Sequence, residues 1–173
     1  MICIQKRQGW GKVNYSQVQT YTLCMVIGNN GIVYYPLVNL CENTMWQTEV
    51  NIAIGNLARE LIAIQVGNMP TIVKEMIGLY EIKNNQRQVL SLSLSKYTYQ
   101  YQAAHGMTYI KSLTFDLKQE KICSLGDLFK PGSNYVEVIS EMVKEQIEER
   151  EIPLLDGFSK IQPNPLRKQT KEL

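Results

Sequence analysis

The sequence predicts an α+β fold, with a curved antiparallel sheet packed with one long central helix and a C-terminal helix. Three observations predict it. Apolar residues alternate with polar ones in several stretches that end in turn-forming residues, which is typical of strands. One long stretch after the first two strands repeats its apolar residues at helical spacing, and a second such stretch lies in the last third of the chain.

The first forty residues predict a hairpin. "VQTYTLCMVIG" and "IVYYPLVNL" are rich in β-branched and aromatic residues, and "NNG" separates them. Asn30 and Gly31 tolerate the positive φ angles of a tight hairpin turn. Pro36 lacks an N–H group, so its strand is expected to lie at an edge or to end nearby.

The next stretch, "NTMWQTEVNIAIGNLARELIAIQVG", predicts an amphipathic helix. Thr44 and Gln47 have the spacing of a capping box, and Gly67 and Pro70 provide a stop signal. The stripe of apolar residues is expected to face the core rather than a cofactor; it consists of Trp46, Val50, Ala53, Ile54, Leu57 and Leu61.

Two long strands follow, with a predicted turn at Asn84 and Asn85. In the second strand the apolar residues first occupy even positions, at Leu90, Leu92 and Leu94. The tyrosines then occupy odd positions, at Tyr97, Tyr99 and Tyr101. Either a bulge near residues 95–96 changes the direction of the side chains, or the leucine face is covered first and the tyrosine face later.

The stretch "YQAAHGMTYIKSLTFDL" places the single histidine, His105, at the tip between two antiparallel strands. Catalysis by this histidine would require an orienting carboxylate and a nucleophile or metal, and no sequence motif fixes such a geometry. Gly106 is expected to allow an unusual backbone angle. The histidine is therefore interpreted as part of a turn that contributes to a binding rim.

The last third predicts a short helix begun by Ser124 and Asp127 and a longer one begun by Asn134 and Glu137. Beyond these helices the pattern gives way to prolines and to basic or polar residues. A single α+β domain is therefore expected over residues 1–162, and a disordered basic tail over residues 163–173.

Composition excludes several classes of function. The net charge of +2 and the absence of a dense basic stripe argue against nucleic-acid binding. The four cysteines are scattered and only one histidine is present, so we expect free thiols, no metal site and no cofactor. No segment is long and apolar enough to span a bilayer. The start of the chain lacks the apolar run of a secretory signal, so the chain as written would be cytoplasmic.

Several stretches resemble the RsiV-like domains of Gram-positive bacteria. They are "YEIKNNQRQVLSLSLSKYTYQYQAAHGMTYIKSLTFDL", "SLGDLFKPGSNYVEVISEMVKEQI" and "IPLLDGFSKIQPN". The resemblance covers roughly residues 75–164 and is carried by the ordered set A-H-G, F-D-L and D-L-F. Such domains are extracytoplasmic modules; they form the ectodomains of lysozyme-sensing anti-sigma factors and precede the catalytic domain of some peptidoglycan deacetylases. The resemblance thus implies a location in the cell envelope.

The sequence departs from this family in two places. Gln102 and Ala103 stand where relatives usually have glycines, and "PLRKQTKEL" stands where relatives continue with two tyrosine-rich strands. An altered C-terminus of this kind would leave a sheet edge unpaired. An exposed edge favours pairing with another chain, and so a homo-oligomer.

Together these patterns predict a non-catalytic binding or sensing module of the cell envelope. Its partner would be a lysozyme-like protein or a peptidoglycan fragment. The predicted contact surface consists of Tyr97, Tyr99, Tyr101, His105 and Tyr109, because tyrosine provides contact area at low entropic cost and stacks on sugars. Packing of the same rings under the helices is equally compatible with the pattern. The alternative functions are an accessory domain of a peptidoglycan-modifying enzyme and a structural protein that assembles through a sheet edge.

Overall fold

The computed structural model describes residues 18–40, 44–66 and 73–153. The chain divides into two compact units, one ending at Ile122 and the other beginning at Cys123. The first unit holds most of the sheet and the long helix, and the second holds the C-terminal helix. The predicted α+β fold class, with one long central and one C-terminal helix, is confirmed.

The strands form one six-stranded sheet in which spatial order follows chain order. Their bounds are β1 Gln19–Ile27, β2 Gly31–Asn39, β3 Val73–Gln86, β4 Val89–Gln100, β5 Met107–Asp116 and β6 Lys121–Cys123. The helix α1, Thr44–Val66, connects β2 to β3. Both ends of the sheet order are open, because β1 and β6 do not pair with each other among the described residues.

The sheet is mixed rather than antiparallel throughout. β1 and β2 form the predicted hairpin, but β2 runs parallel to β3 over Gly31–Val33 and Met76–Gly78. The physical reason is the connection: a helix that crosses from one strand to its neighbour returns the chain in the same direction. All other pairings whose register is described are antiparallel.

One asparagine side chain, that of Asn51, takes the place of a strand partner where the parallel pairing ends. β2 lies between β1 and β3, so the prediction from Pro36 of an edge strand holds only beyond Val33, where β2 has no described strand neighbour on the β3 side. There the Asn51 side chain of α1 bonds both backbone groups of Val38: Oδ1 accepts from the N–H at 2.8 Å and Nδ2 donates to the carbonyl at 2.9 Å. These bonds satisfy backbone groups that would otherwise be buried without a partner.

The core lies between α1 and one face of the sheet. The predicted helical stripe is confirmed, since its large apolar members are at most 5% exposed. They pack against the leucines of β4 and against Leu113 and Phe115 of β5. The Trp46 and Phe115 rings meet edge to face, with centroids 6.4 Å apart. Burying each such side chain contributes roughly 1.5–3 kcal/mol.

The helix-facing side of β4 does not change along the strand. The β4–β5 register is continuous from Val89 to Thr98, so the bulge interpretation for residues 95–96 is wrong. The even positions that begin with buried leucines continue as Lys96 and Thr98, which are 1% and 4% exposed. The alternative, in which the tyrosine face is covered later in the strand, does not hold either. α1 remains in contact with the leucine face, where it bonds the polar side chains of Lys96 and Thr98.

The turn between β3 and β4 lies at Arg87 and Gln88, not at the predicted Asn84 and Asn85. Both turn residues have positive φ angles, 54° and 60°, as a two-residue hairpin turn of type I′ requires. The asparagines lie within β3, where their side chains have other partners. Asn85 bonds both backbone groups of Val18, at 2.9 and 2.8 Å.

The second unit begins with a 3₁₀ helix, Leu125–Leu128, followed by α2, Tyr135–Glu149. The predicted cap of the first is confirmed, since the Asp127 carboxylate accepts from the Ser124 N–H at 2.7 Å. Asn134 occupies the predicted N-cap position of α2, but its side chain makes no capping hydrogen bond within the described part of the chain.

Two further predictions concern thiols and membranes. Cys24 is a free thiol, as predicted, whereas Cys3, Cys41 and the predicted tail at 163–173 lie outside the described residues. None of the described helices reaches the length and apolar character that crossing a membrane demands.

Candidate functional site: a cleft beside the histidine loop

A cleft of about 320 Å³ lies between the C-terminal end of α1 and the loop that joins β4 to β5. Gln65, Thr98 and Gln100 line its inner part, where the first two side chains are only 7% and 4% exposed. The outer part is more apolar and more exposed; it is lined by Ile64, Ala103, Ala104, His105, Met107 and Tyr109.

A hydrogen-bond network fixes the inner part of the cleft. The Gln65 amide nitrogen donates to the Met107 carbonyl at 2.8 Å and to the Lys96 carbonyl at 3.2 Å. The Thr98 hydroxyl donates to Gln65 Oε1 at 2.7 Å, and Gln100 Nε2 donates to the Gln65 carbonyl at 2.9 Å. Gln65 thus ties α1 to both strands of the hairpin, and a network satisfied in this way is rigid.

Lys96 lies beneath this network, on the same face of β4. Its ammonium group donates to the Leu61 carbonyl of α1 at 2.6 Å. Burial lowers the pKa of Lys96 from 10.5 to about 8, because a low-dielectric environment disfavours the charged form. The sequence analysis did not single out Lys96, because a lysine is normally exposed even where, as here, it continues the even spacing of buried leucines.

His105 is exposed at the rim of the cleft. Its Nδ1 atom donates to the Gly106 carbonyl at 3.1 Å, and no carboxylate of the described residues bonds the ring. The described residues include no group of three or more potential metal ligands among His, Cys, Asp and Glu. Within the described part of the chain, no hydrogen bond therefore joins this histidine to an orienting acid.

Gly106 is required by a close approach rather than by its backbone angle. Its φ angle is not positive, so the predicted unusual angle is wrong. A Cβ atom at this position would lie 2.2 Å from Cε2 of Tyr97. The Tyr97 ring therefore packs directly on the glycine, where no larger residue fits without a shift.

The predicted tyrosines do not form one surface. Tyr109 pairs with the buried Lys96 across the strands, so it lies on the α1 side and lines the cleft beside His105. Tyr97 and Tyr99 lie on the opposite face. Tyr101 follows the end of β4 and is 68% exposed.

The opposite face carries a second, more open depression of about 580 Å³ around Tyr97 and Tyr99. Lys74 places its ammonium group 5.3 Å from the centre of the Tyr99 ring, within the range of a cation–π interaction. Glu75 and Asn30 complete the lining. Of the five predicted residues, the structure thus brings together His105 and Tyr109 at the cleft, and Tyr97 and Tyr99 at this depression.

The cleft combines aromatic, apolar and polar side chains. Its described lining contains no carboxylate, lysine, arginine or cysteine. It offers an aromatic ring, several apolar side chains and a few fixed polar groups, the composition that small-molecule sites commonly have.

Comparison with known proteins shows the fold. No family model and no curated protein matches the sequence. A crystal structure of a DUF3298 family protein from Pseudomonas aeruginosa is similar, with a TM-score of 0.51 at 14% identity; the match covers 80% of this chain and 69% of that one. A DUF3298 family member from Bacteroides fragilis matches with a TM-score of 0.49 at 8% identity, over 85% of this chain and 77% of that one.

Proposed function

We propose that the protein is a non-catalytic recognition module of the bacterial cell envelope that binds a protein or a wall-derived glycan. The observation that carries the proposal is the cleft: a rigid polar interior beside an exposed tyrosine and histidine. A site of fixed geometry loses little entropy when it binds. The uncharged lining favours recognition over acid–base or nucleophilic chemistry.

The resemblance to RsiV-like domains supports the same proposal. The A-H-G tripeptide that carries part of this resemblance, Ala104 to Gly106, lies at the cleft. The DUF3298 family, whose fold the chain shares, is related to RsiV-like domains. The implied partners are a lysozyme-like protein and peptidoglycan fragments.

Calorimetric titration tests the proposal directly. The folded protein is titrated with lysozyme and, separately, with soluble peptidoglycan fragments, and saturable heat is expected with at least one of them. Tyr109→Ala should weaken binding by at least tenfold if its ring is a central contact, a loss of about 1.4 kcal/mol.

Tyr99→Ala is the matched control, because this ring lies on the opposite face of the same hairpin. Loss of binding with Tyr99→Ala but not with Tyr109→Ala would move the site to the depression near Lys74. No saturable binding to either partner would refute the recognition function.

The edge strand β1 favours a second candidate function, assembly through strand pairing. β1 occupies an outer position in the sheet and contains neither a charged residue nor a proline over its nine residues. Natural edge strands usually carry such protection against pairing with another chain. Its pairing with β2 is also free of bulges.

Light scattering over a concentration series tests the assembly function. A mass above the monomer is expected, and it should fall in Val26→Lys, which places a charge at an exposed position of β1. Ile52→Lys is the control, because Ile52 is equally exposed but lies on α1. A monomeric mass at high concentration would exclude assembly.

A further inference from the structure

The hydrogen-bonding positions left unused inside the cleft are mainly acceptors. Both amide hydrogens of Gln65 are used, because they point at the backbone carbonyls of Lys96 and Met107, which can only accept. Gln65 Oε1 takes one bond from Thr98 and retains a second acceptor position. The Thr98 hydroxyl hydrogen is used in that bond, so Thr98 also has only acceptor capacity left.

The groups nearer the opening show the same bias. A carbonyl can only accept, so the bond to Gly106 places a proton on His105 Nδ1 and leaves Nε2 as the ring nitrogen that is able to accept. Gln100 donates one amide hydrogen to the Gln65 carbonyl and retains its oxygen and one further hydrogen. The Tyr109 hydroxyl can both donate and accept. Acceptors therefore outnumber donors among the side chains of the cleft.

We infer that the cleft selects an uncharged ligand rich in hydroxyl and amide N–H donors, namely a neutral oligosaccharide, over ligands that carry carboxylates. This inference rests on the proposed recognition function and specifies its ligand class. The Tyr109 ring and the Ile64 and Met107 side chains provide apolar contact for the C–H face of a sugar. A carboxylate would place acceptors against acceptors, at a cost that hydroxyl groups do not incur.

The nearby cations do not reverse this preference. The Lys96 ammonium group is directed at the Leu61 carbonyl of α1 and does not line the cleft. It lies towards the C-terminal half of α1, where the helix dipole is negative. Lys111 is paired with Glu60 at 2.5 Å. Neither charge is therefore free to hold an anion at the cleft.

The test compares two trisaccharides of opposite character by calorimetry at pH 7. One is the neutral trimer of N-acetylglucosamine, and the other is trigalacturonate, which carries a carboxylate on every ring. The neutral trimer should bind at least tenfold more tightly. Thr98→Val keeps the shape of the side chain and removes its hydroxyl, and His105→Phe keeps an aromatic ring and removes its nitrogens, so each should weaken binding of the neutral trimer by roughly five- to tenfold.

Controls separate this inference from the proposed function. Tyr99→Phe lies on the opposite face and should leave binding unchanged. His105 is exposed, so His105→Phe remains informative if Thr98→Val fails to fold. Equal or tighter binding of trigalacturonate, or binding of lysozyme or of a peptide ending in D-alanyl-D-alanine without any saccharide binding, would overturn the inference and leave the recognition function standing. No binding of any of these probes would overturn both.

Discussion

Replacing Lys96 by methionine should stabilise the protein at pH 7. The change removes a buried ammonium group and keeps a flexible apolar chain of similar length. The fall in the pKa of Lys96 from 10.5 to about 8 corresponds to a cost of about 3 kcal/mol for burying the charge. Loss of the hydrogen bond to the Leu61 carbonyl offsets about 1 kcal/mol of this. The expected net gain in the free energy of unfolding is therefore about 2 kcal/mol.

The gain should depend on pH in a defined direction. The folded-state pKa of Lys96 is lowered, so the unfolded chain binds the extra proton between pH 8 and pH 10.5. Stability of the unsubstituted protein therefore rises with pH in this window as the buried amine loses its charge. The cost is fully present below pH 8, falls to roughly half at pH 9.5 and disappears above pH 10.5. The advantage of Lys96→Met should shrink accordingly.

Urea denaturation, followed by far-ultraviolet circular dichroism at pH 7 and at pH 9.5, measures both effects. Lys83→Met is the matched control, because Lys83 is exposed and pairs with Glu81 at the surface, where such pairs contribute little. Its change in stability should be small and independent of pH. The reasoning would be refuted if Lys96→Met were less stable than the unsubstituted protein at pH 7, or if its difference did not change with pH.

Three further substitutions test the fold. Gly106→Ala should destabilise the protein by roughly 1–3 kcal/mol, because the new methyl group overlaps the Tyr97 ring, and Tyr97→Ala in the same chain should relieve most of that loss. Asn51→Ala should cost about 2 kcal/mol by removing both bonds to Val38. Gln88→Gly should stabilise by about 1 kcal/mol, because glycine adopts the positive φ of this turn without strain.

Urea denaturation at pH 7 measures these three changes as well. Asn56→Ala is the control for Asn51→Ala, since Asn56 lies on the same helix, is exposed and has a side chain that, among the described residues, bonds only the side chain of Arg59. Equal losses from the two asparagine variants would contradict the role given to Asn51. Additive losses in the double variant of Gly106 and Tyr97 would contradict a direct overlap, and a destabilising Gln88→Gly would contradict the turn conformation.

The helical stripe and the leucine strand were predictable because apolar periodicity reports burial directly. The polar continuation of β4 was not, since the same spacing at Lys96 and Thr98 is normally a sign of exposure. Those side chains are buried only because α1 presents Gln65 and a backbone carbonyl to them. Information of this kind belongs to the packing of two distant segments and is absent from either one alone.

The predictions of the turn after β3 and of an antiparallel direction for β3 were both wrong, for related reasons. Asparagine favours turns, but the Asn85 side chain hydrogen-bonds the backbone of Val18, which is distant in the chain. This tertiary contact overrides the local preference. The two turn residues, Arg87 and Gln88, have no such preference of their own. The candidate site was predictable in part. The sequence predicted one surface for all these residues, and His105 and Tyr109 do lie together, but the alternation of the strand places Tyr97 and Tyr99 on the other face.

The short parallel pairing between β2 and β3 has a consequence for the order of folding. Strands β3, β4 and β5 follow one another through short connections and pair over most of their lengths, so their contacts close small loops. The described pairing between β2 and β3 is limited to Gly31–Val33 on β2. Forming it closes a long loop that contains the whole of α1. We therefore expect the three-stranded meander to form early and the β1–β2 hairpin to dock late. Native-state hydrogen exchange should then show this junction opening before the meander does.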